Sequence, residues 1–171
     1  MRFAEFAQWF LPAFAGLLAL ALVLVVLRKE YRAKPPILVQ TAAGRLLPLG
    51  SPGAPTSLWR ARIMGTPSGL GSSDGILVIA GGDLAFVEEG EREPRWRFPA
   101  ADVEVTQRGP ERRRSADLEL QLPDARRLEV IVSKTRISRH LNSGLSALAQ
   151  GDHAHVFTSI LAANGATCRR Q

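Results

Sequence analysis

Residues 118–132 read LELQLPDARRLEVIV, and this stretch carries the clearest structural pattern in the 171-residue chain. Apolar residues alternate with polar ones over 118–122 and, apart from Ile131, again over 128–132. Alternation with a period of two is typical of a strand that buries one face. The Pro-Asp-Ala sequence at 123–125 has the chemistry of a turn. The stretch therefore predicts a β-hairpin whose leucines and valines share one inward face.

Similar short apolar runs, separated by Gly, Pro or Asp, precede this hairpin. Gly81, Gly82 and Asp83 suit a tight turn between two of them. Trp96 and Phe98 alternate with arginines, which predicts that the aromatic rings face the core and the arginines face outward. The regular spacing favours an all-β meander. Seven strands are predicted, at 58–64, 76–80, 84–88, 95–98, 103–107, 118–122 and 128–132.

The alternation ends at Ser133, and a helical period replaces it. Apolar residues now recur at spacings of three and four: Ile137, Leu141, Leu145 and Leu148. We expect Gly151 and Asp152 to interrupt this helix, and a second short helix to run over 153–163. Asn164 and Gly165 are a good helix stop. The last residues, 169–171, are expected to fray.

The N-terminal region contains no charged residue from Phe10 to Leu27. Eighteen helical residues span roughly 27 Å, close to the ~30 Å hydrocarbon core of a bilayer. Basic residues follow where a signal peptide would have a small-residue cleavage site, so we expect an uncleaved membrane anchor. These membrane-proximal basic residues are Arg28, Lys29, Arg32 and Lys34. Their excess over Arg2 predicts an outside N-terminus and a cytoplasmic domain.

The chain accordingly divides into four predicted parts. Residues 1–34 form the transmembrane anchor with its basic juxtamembrane segment, and 35–57 form a linker or edge hairpin around Gly44. Residues 58–165 form a mainly-β domain with C-terminal helices, and 166–171 form a tail. Because domains usually contain about 100–150 residues, the chain has no room for a second one.

Seven short strands followed by an amphipathic helix are the element order of the pleckstrin-homology (PH) superfold. The run GILVIAGGDLAF at 75–86 resembles a strand-turn-strand hairpin of bacterial PH and GRAM-like domains. The run WRFPAADV at 96–103 is similar to the W-x-I-P-x-x-D-I/V step of the same families, with Phe98 where Ile is usual. The resemblance covers residues 58–163. It implies a seven-stranded barrel or sandwich plugged by the C-terminal helix.

The order of anchor, basic stop and PH-like domain resembles single-pass membrane proteins of GC-rich bacteria, especially actinobacteria. That resemblance implies a binding or scaffold module at the bacterial plasma membrane, with no chemistry of its own.

Few residues suggest catalysis, and we expect no catalytic, cofactor or metal site. His153 and His155 are two residues apart, so on a helix they point in nearly opposite directions and cannot chelate one metal from one face. We expect both to be exposed near a helix end. The glycine-rich run at 69–73 lacks the Lys-Ser/Thr ending of a phosphate loop. Cys168 is the single cysteine, which excludes an internal disulfide.

The charge distribution narrows the choice of partner. From Pro35 onward, 17 Lys and Arg stand against 14 Asp and Glu, a net of +3, which does not indicate a nucleic-acid binder. The candidate anion-binding or partner-binding residues are Arg60, Arg62, Arg112, Arg113 and Arg114. We expect recruitment of a protein partner at the cytoplasmic membrane face. The alternatives are binding of anionic lipid head groups, an accessory role in a membrane transporter complex, and an unrecognised enzyme.

Overall fold

The computed structural model describes residues 16–23, 35–64, 71–108, 116–134, 137 and 144–170, and only the backbone over 144–151. The chain separates into two units, residues 1–32 and 33–171. In the first unit residues 16–23 are helical, and their leucine side chains are exposed. Within the described ranges, no helix has the length and apolar character needed to cross a bilayer.

The predicted anchor falls mostly outside the described residues. Of the span from Phe10 to Leu27, only residues 16–23 are described. The four membrane-proximal basic residues, at 28, 29, 32 and 34, are also outside the described residues. The anchor and its orientation therefore remain predictions.

The second unit begins with a small antiparallel hairpin of two strands, β1 (Leu38–Gln40) and β2 (Leu46–Pro48). Gly44 lies in its turn with a φ of 76°, a conformation that glycine adopts without steric cost. Of the two alternatives for residues 35–57, a linker or an edge hairpin, the structure has a hairpin, which forms a two-stranded sheet separate from the main sheet. The segment after it is docked on the domain, because Gly82 donates a backbone hydrogen bond of 3.0 Å to the Gly50 carbonyl. Leu49 packs against the core.

The main sheet has eight strands in the order β10-β7-β8-β9-β3-β4-β5-β6. Every neighbouring pair is antiparallel except β10 with β7. The strands are β3 (Ser57–Met64), β4 (Ser73–Ala80), β5 (Asp83–Glu88), β6 (Trp96–Pro99), β7 (Glu104–Gln107), β8 (Leu118–Gln121), β9 (Arg127–Ser133) and β10 (Thr167–Arg170). A short 3-10 helix, Ala100–Asp102, joins β6 to β7.

The seven predicted strands are confirmed as β3 to β9. Their alternation also predicts the buried face correctly, because the inward residues of β8 and β9 are almost fully buried. Leu118, Leu120, Leu122, Leu128, Val130 and Val132 line this face. Trp96 is buried and Phe98 packs half-buried against the core, as the aromatic pattern predicted. In the structure Trp96 also stacks on Phe86 and Phe98.

One continuous helix, Gly144–Ala163, closes the inner face of the sheet. The predicted interruption at Gly151 and Asp152 is wrong, since both residues are helical. A glycine inside a helix costs about 1 kcal/mol, which the burial of Phe157 and Ile160 on the core offsets. The helix ends as predicted, with Gly165 at a φ of 96°. Ile137 lies outside the helix, and Leu141 is not among the described residues.

The C-terminal residues form β10 instead of a frayed end. Cys168 lies opposite Val105 of β7 in the parallel register, and Arg169 Nε lies 2.8 Å from Glu104 Oε1. The prediction of fraying is therefore wrong for Arg169 and Arg170. A strand of four residues is too short to show a clear alternation of apolar and polar residues. Because its pairing depends on the available edge of β7, little in the sequence predicts it.

Candidate interaction surface

Trp59 connects the sheet to the C-terminal helix. Its side chain is 1% exposed, and its ring meets Phe157 edge-on at a centroid distance of 5.4 Å. The indole Nε1 donates a hydrogen bond of 2.7 Å to Ser57 Oγ, which satisfies the buried polar atom. Trp59 thus faces the inner side of the sheet, and every second residue of β3 faces the same side.

Lys134 covers the same ring from the end of β9. Its Nζ lies 3.9 Å from the Trp59 ring centroid and donates a hydrogen bond of 2.8 Å to the Leu58 carbonyl. Partial burial lowers the pKa of Lys134 from its ordinary value. The ammonium group is therefore engaged in closing the core and holding the backbone at Leu58.

The outer face of β3 and β4 combines exposed aliphatic residues with an arginine. Leu58 is 55% exposed and Ile76 is 40% exposed. Arg60 lies opposite Ile76 in the antiparallel register, and Leu58 lies opposite Val78. Residues that face each other across neighbouring strands are about 5 Å apart, so these four side chains adjoin. We call Leu58, Arg60, Ile76 and Val78 the docking face.

Arg62, a predicted binding residue, is already occupied. Its Nε lies 2.6 Å from Asp74 Oδ1 and its Nη2 lies 2.9 Å from Asp74 Oδ2, a bidentate pair across β3 and β4. The hydrogen bond to Asp74 raises the pKa of Arg62, whose side chain is only 14% exposed. Arg60 is exposed and makes no ion pair with any residue that the structure describes. Of the two predicted binding residues in β3, Arg60 is therefore available to an anionic partner, whereas Arg62 is held by Asp74.

Arg108 precedes the predicted binding residues Arg112, Arg113 and Arg114 in the chain, and it too is paired. Its Nη2 lies 3.0 Å from Glu119 Oε2 and 2.8 Å from Glu129 Oε1. The hydrogen bond to Glu119 is the main cause of the raised pKa of Arg108. Arg108 thus ties the end of β7 to β8 and β9. Arg112, Arg113 and Arg114 lie outside the described residues, so their role in binding remains a prediction.

Several other outward arginines pair with acids on adjacent strands or turns. Arg95 and Arg97 face outward as predicted, 49% and 61% exposed. These arginines and their partners are Arg95 with Glu88, Arg97 with Asp83, Arg126 with Asp124, and Arg169 with Glu104. Part of the positive charge on the described surface is thus neutralised locally, whereas Arg60 is among the exposed arginines for which no ion pair is seen within the described residues.

The two helix histidines are more buried than the sequence suggested. His155 is 3% exposed, and Arg170 Nη2 lies 3.0 Å from its Nδ1. Because a guanidinium only donates, Nδ1 accepts and the ring proton resides on Nε2. His153 is half-buried, with Nδ1 3.1 Å from Ser133 Oγ. The prediction that both are exposed is wrong, because the helix continues through Gly151 and places them inside it.

A pocket of about 330 Å³ lies beside the C-terminal helix. Its lining includes Gln107, His155, Thr158 and Cys168. Burial raises the pKa of the Cys168 thiol to about 11, so the thiolate is scarce at neutral pH. The Nδ1 of His155 already accepts a hydrogen bond from Arg170, so it does not act as a base toward the Cys168 thiol. The described lining of this pocket therefore does not pair an activated nucleophile with a base. Among the residues that the structure describes, no three His, Cys, Asp or Glu side chains converge as metal ligands.

Comparisons with known proteins do not assign the chain to a family. No model of a protein family matches the chain, and no curated protein matches it. The PH domain of ArhGAP27 is 15% identical, with 57% of this chain and 96% of that domain covered and a TM-score of 0.32. The PH domain of human oxysterol binding protein-related protein 11 is 13% identical, with coverages of 59% and 84% and a TM-score of 0.34.

Such low TM-scores carry no argument about binding. The description of the fold therefore rests on the elements themselves, which are seven antiparallel strands, β3 to β9, followed by the helix that covers their inner face. This is the PH-like order that the sequence predicted, extended by the β1–β2 hairpin at one end and by β10 at the other.

Proposed function

We propose that this chain is a membrane-tethered, non-catalytic interaction module whose docking face recruits a protein partner at the cytoplasmic side of a bacterial plasma membrane. The observation that carries the proposal is the docking face itself. It exposes Leu58 and Ile76 around Arg60, while the neighbouring Arg62 is neutralised by Asp74. The uncharged run from Phe10 to Leu27 and its basic flank support the tether.

The composition of the docking face defines the chemistry of the partner. Arginine is enriched at the energetically important centre of protein interfaces, and the fully buried core of an interface is more apolar than the rest of a protein surface. A matching partner has apolar side chains that cover Leu58 and Ile76, and a carboxylate that pairs with Arg60. Removing the aliphatic side chains from water provides the affinity, at about 25 cal/mol per Å² of apolar surface, and the ion pair sets the orientation.

Anionic lipid head groups are the alternative ligand, and the described cations support it less well. A head-group site requires several cations that converge on one phosphate. Arg62 and Arg108 form ion pairs with carboxylates. Of the candidate binding residues that the structure describes, Arg60 therefore remains to contact a phosphate. The lipid alternative then depends on the loop arginines at 112–114. If the protein partner is a membrane transporter, the chain acts as an accessory subunit of a transporter complex.

Photo-crosslinking in native cells tests the proposed function. A benzoylphenylalanine at position 58 of the full chain is expected to form a discrete adduct with one protein. The matched control places the same residue at Glu91, which is exposed in the turn between β5 and β6. Adducts with lipid alone at position 58, or identical adducts from the two positions, would refute a protein docking face. Arg60→Glu, in the chain with the crosslinker at 58, is expected to reduce the yield several-fold.

A further inference from the structure

The β1–β2 hairpin exposes aliphatic side chains on one of its faces. Leu38 lies opposite Pro48, and Gln40 lies opposite Leu46, so the side chains of these residues share a face. Leu46 is 65% exposed and Leu38 is 54% exposed. Ile37, just before β1, is 42% exposed. We call Leu38 and Leu46 the hairpin face.

This concentration of exposed aliphatic residues is unusual for the domain. Five large hydrophobic residues are exposed in the described part of the chain beyond residue 35, and the hairpin contributes three of them. The other two belong to the docking face. The turn of the hairpin consists of small residues, Ala42, Ala43 and Gly44, followed by Arg45. Nothing bulky or acidic at the tip would keep the hairpin away from an anionic surface.

The surrounding sequence is free of negative charge. No Asp or Glu occurs between Glu30 and Asp74, whereas Arg45 lies in the hairpin and Arg32 and Lys34 precede it in the sequence. Each Lys or Arg held close to an anionic leaflet contributes about 1 kcal/mol of attraction. Aliphatic side chains accompanied by cations and no acids are the composition of segments that lie in the membrane interface.

Chain length keeps the hairpin close to the bilayer. Leu38 follows Leu27, the last residue of the predicted span, by eleven residues. A fully extended chain covers at most ~3.6 Å per residue, so the connection reaches about 40 Å at most. A tether this short holds the hairpin at a high effective concentration beside the head groups.

We propose that the hairpin face inserts into the interface of the anionic bilayer that holds the anchor, and so forms a second membrane contact. This inference rests on the proposed tether. The two contacts, one helix and one hairpin, restrict the rotation of the domain about its linker. The docking face, which lies on β3 and β4 of the main sheet, is then presented to partners in a fixed range of orientations.

Depth-dependent fluorescence quenching of the full chain in nanodiscs tests the hairpin contact. Gln40→Cys in a Cys168→Ser background places an environment-sensitive probe on the hairpin face and preserves both leucines. Glu91→Cys in the same background is the matched control. With discs that contain phosphatidylglycerol and brominated lipids, the probe at 40 is expected to shift to the blue and to be quenched at least about two-fold, and the probe at 91 to remain unquenched.

Two further measurements separate the possible outcomes. Leu46→Glu with the probe at 40 is expected to abolish the quenching, while a cooperative melting transition shows that the variant folds. If the chain resists extraction by alkaline carbonate and the probe at 40 stays in water, the hairpin contact is refuted and the tether stands. If carbonate extracts the chain, the tether and the hairpin contact both fail. Shielding that appears only after membrane proteins are added would assign the hairpin face to a protein and overturn the inference.

Discussion

Adjacent residues of β3 have opposite surroundings. Trp59 is 1% exposed under the C-terminal helix, whereas Leu58, one residue earlier, is 55% exposed. Both side chains are large and apolar, so hydrophobicity alone does not explain the difference. The inner face of the sheet is covered by a helix whose own apolar residues match it, and no described element covers the docking face. Under the proposed function, folding and binding use alternate residues of one strand, so mutations can affect one and spare the other.

Truncation of Trp59 is the largest expected perturbation. Trp59→Ala removes the ring that meets Phe157 at 5.4 Å and leaves a cavity, so it is expected to lower the free energy of unfolding by about 3–5 kcal/mol. Leu58→Ala, the neighbouring control, is expected to change it by less than about 0.5 kcal/mol. Urea denaturation measures the two variants. Similar losses for the two residues would show that the faces are not distinct.

Gly50 tests whether the segment after the hairpin is part of the folded domain. Gly50 has a φ of 84°, and an added Cβ would lie 2.6 Å from Ile79 Cγ2. Gly50→Ala is therefore expected to lower the free energy of unfolding by about 2–4 kcal/mol, from strain and overpacking together. Gly44→Ala shares the positive φ in open space, so a loss of about 1 kcal/mol is expected. Equal melting temperatures for the two variants would mean that the segment is an unattached linker.

Cys168 reports whether β10 is in place at the edge of the sheet. Burial raises the pKa of its thiol from 9.0 to about 11, so alkylation by iodoacetamide at pH 8 is expected to be about 100-fold slower in the folded chain than in urea. Because the folded state holds the proton more tightly, stability is highest below pH 9 and falls as the pH rises towards 11. A frayed strand would instead react at the same rate in the two states.

The Arg62–Asp74 pair tests the proposal that neutralisation of Arg62 disfavours binding of anionic lipid beside the docking face. Asp74→Asn breaks a bidentate, partly buried pair and is expected to cost about 1 kcal/mol of stability. It also frees a cation beside Arg60, so binding to anionic vesicles is expected to increase several-fold at low salt. Asp83→Asn, whose partner Arg97 is 61% exposed, is the control and is expected to cost less than about 0.5 kcal/mol. No gain in vesicle binding for Asp74→Asn would argue against this view of Arg62.

The sequence predicted the elements that have a pattern of their own. The alternation of Leu118, Leu120 and Leu122 specifies a strand and its buried side together, because a shift of one residue would expose all three. The turn at Gly44 and the helix stop at Gly165 were likewise predicted, because positive φ favours glycine.

Elements that depend on distant contacts were not predictable in the same way. Gly151 appeared to break the helix because local propensity ignores the core that Phe157 and Ile160 share. The tail from Thr167 to Arg170 is a strand because the edge of β7 is available to it. Arg62 appeared to be a free cation, since nothing in the order of residues indicates that Asp74 lies opposite it. Arg60 is also an arginine of β3. It differs from Arg62 because the strand register places no acid directly opposite it.

The most direct test of the central claim measures stability and partner capture for one pair of variants. The combined variant Leu58→Ala, Arg60→Glu is expected to unfold within about 0.5 kcal/mol of the unmodified chain, and to lose at least about ten-fold of the protein adduct formed from a crosslinker placed at Val78. Trp59→Phe, a smaller change in the core, is expected to lower stability by about 1–2 kcal/mol and to retain the adduct wherever the chain is folded. If the combined variant still formed the adduct at full yield, the docking face would not be the surface through which this chain recruits its partner.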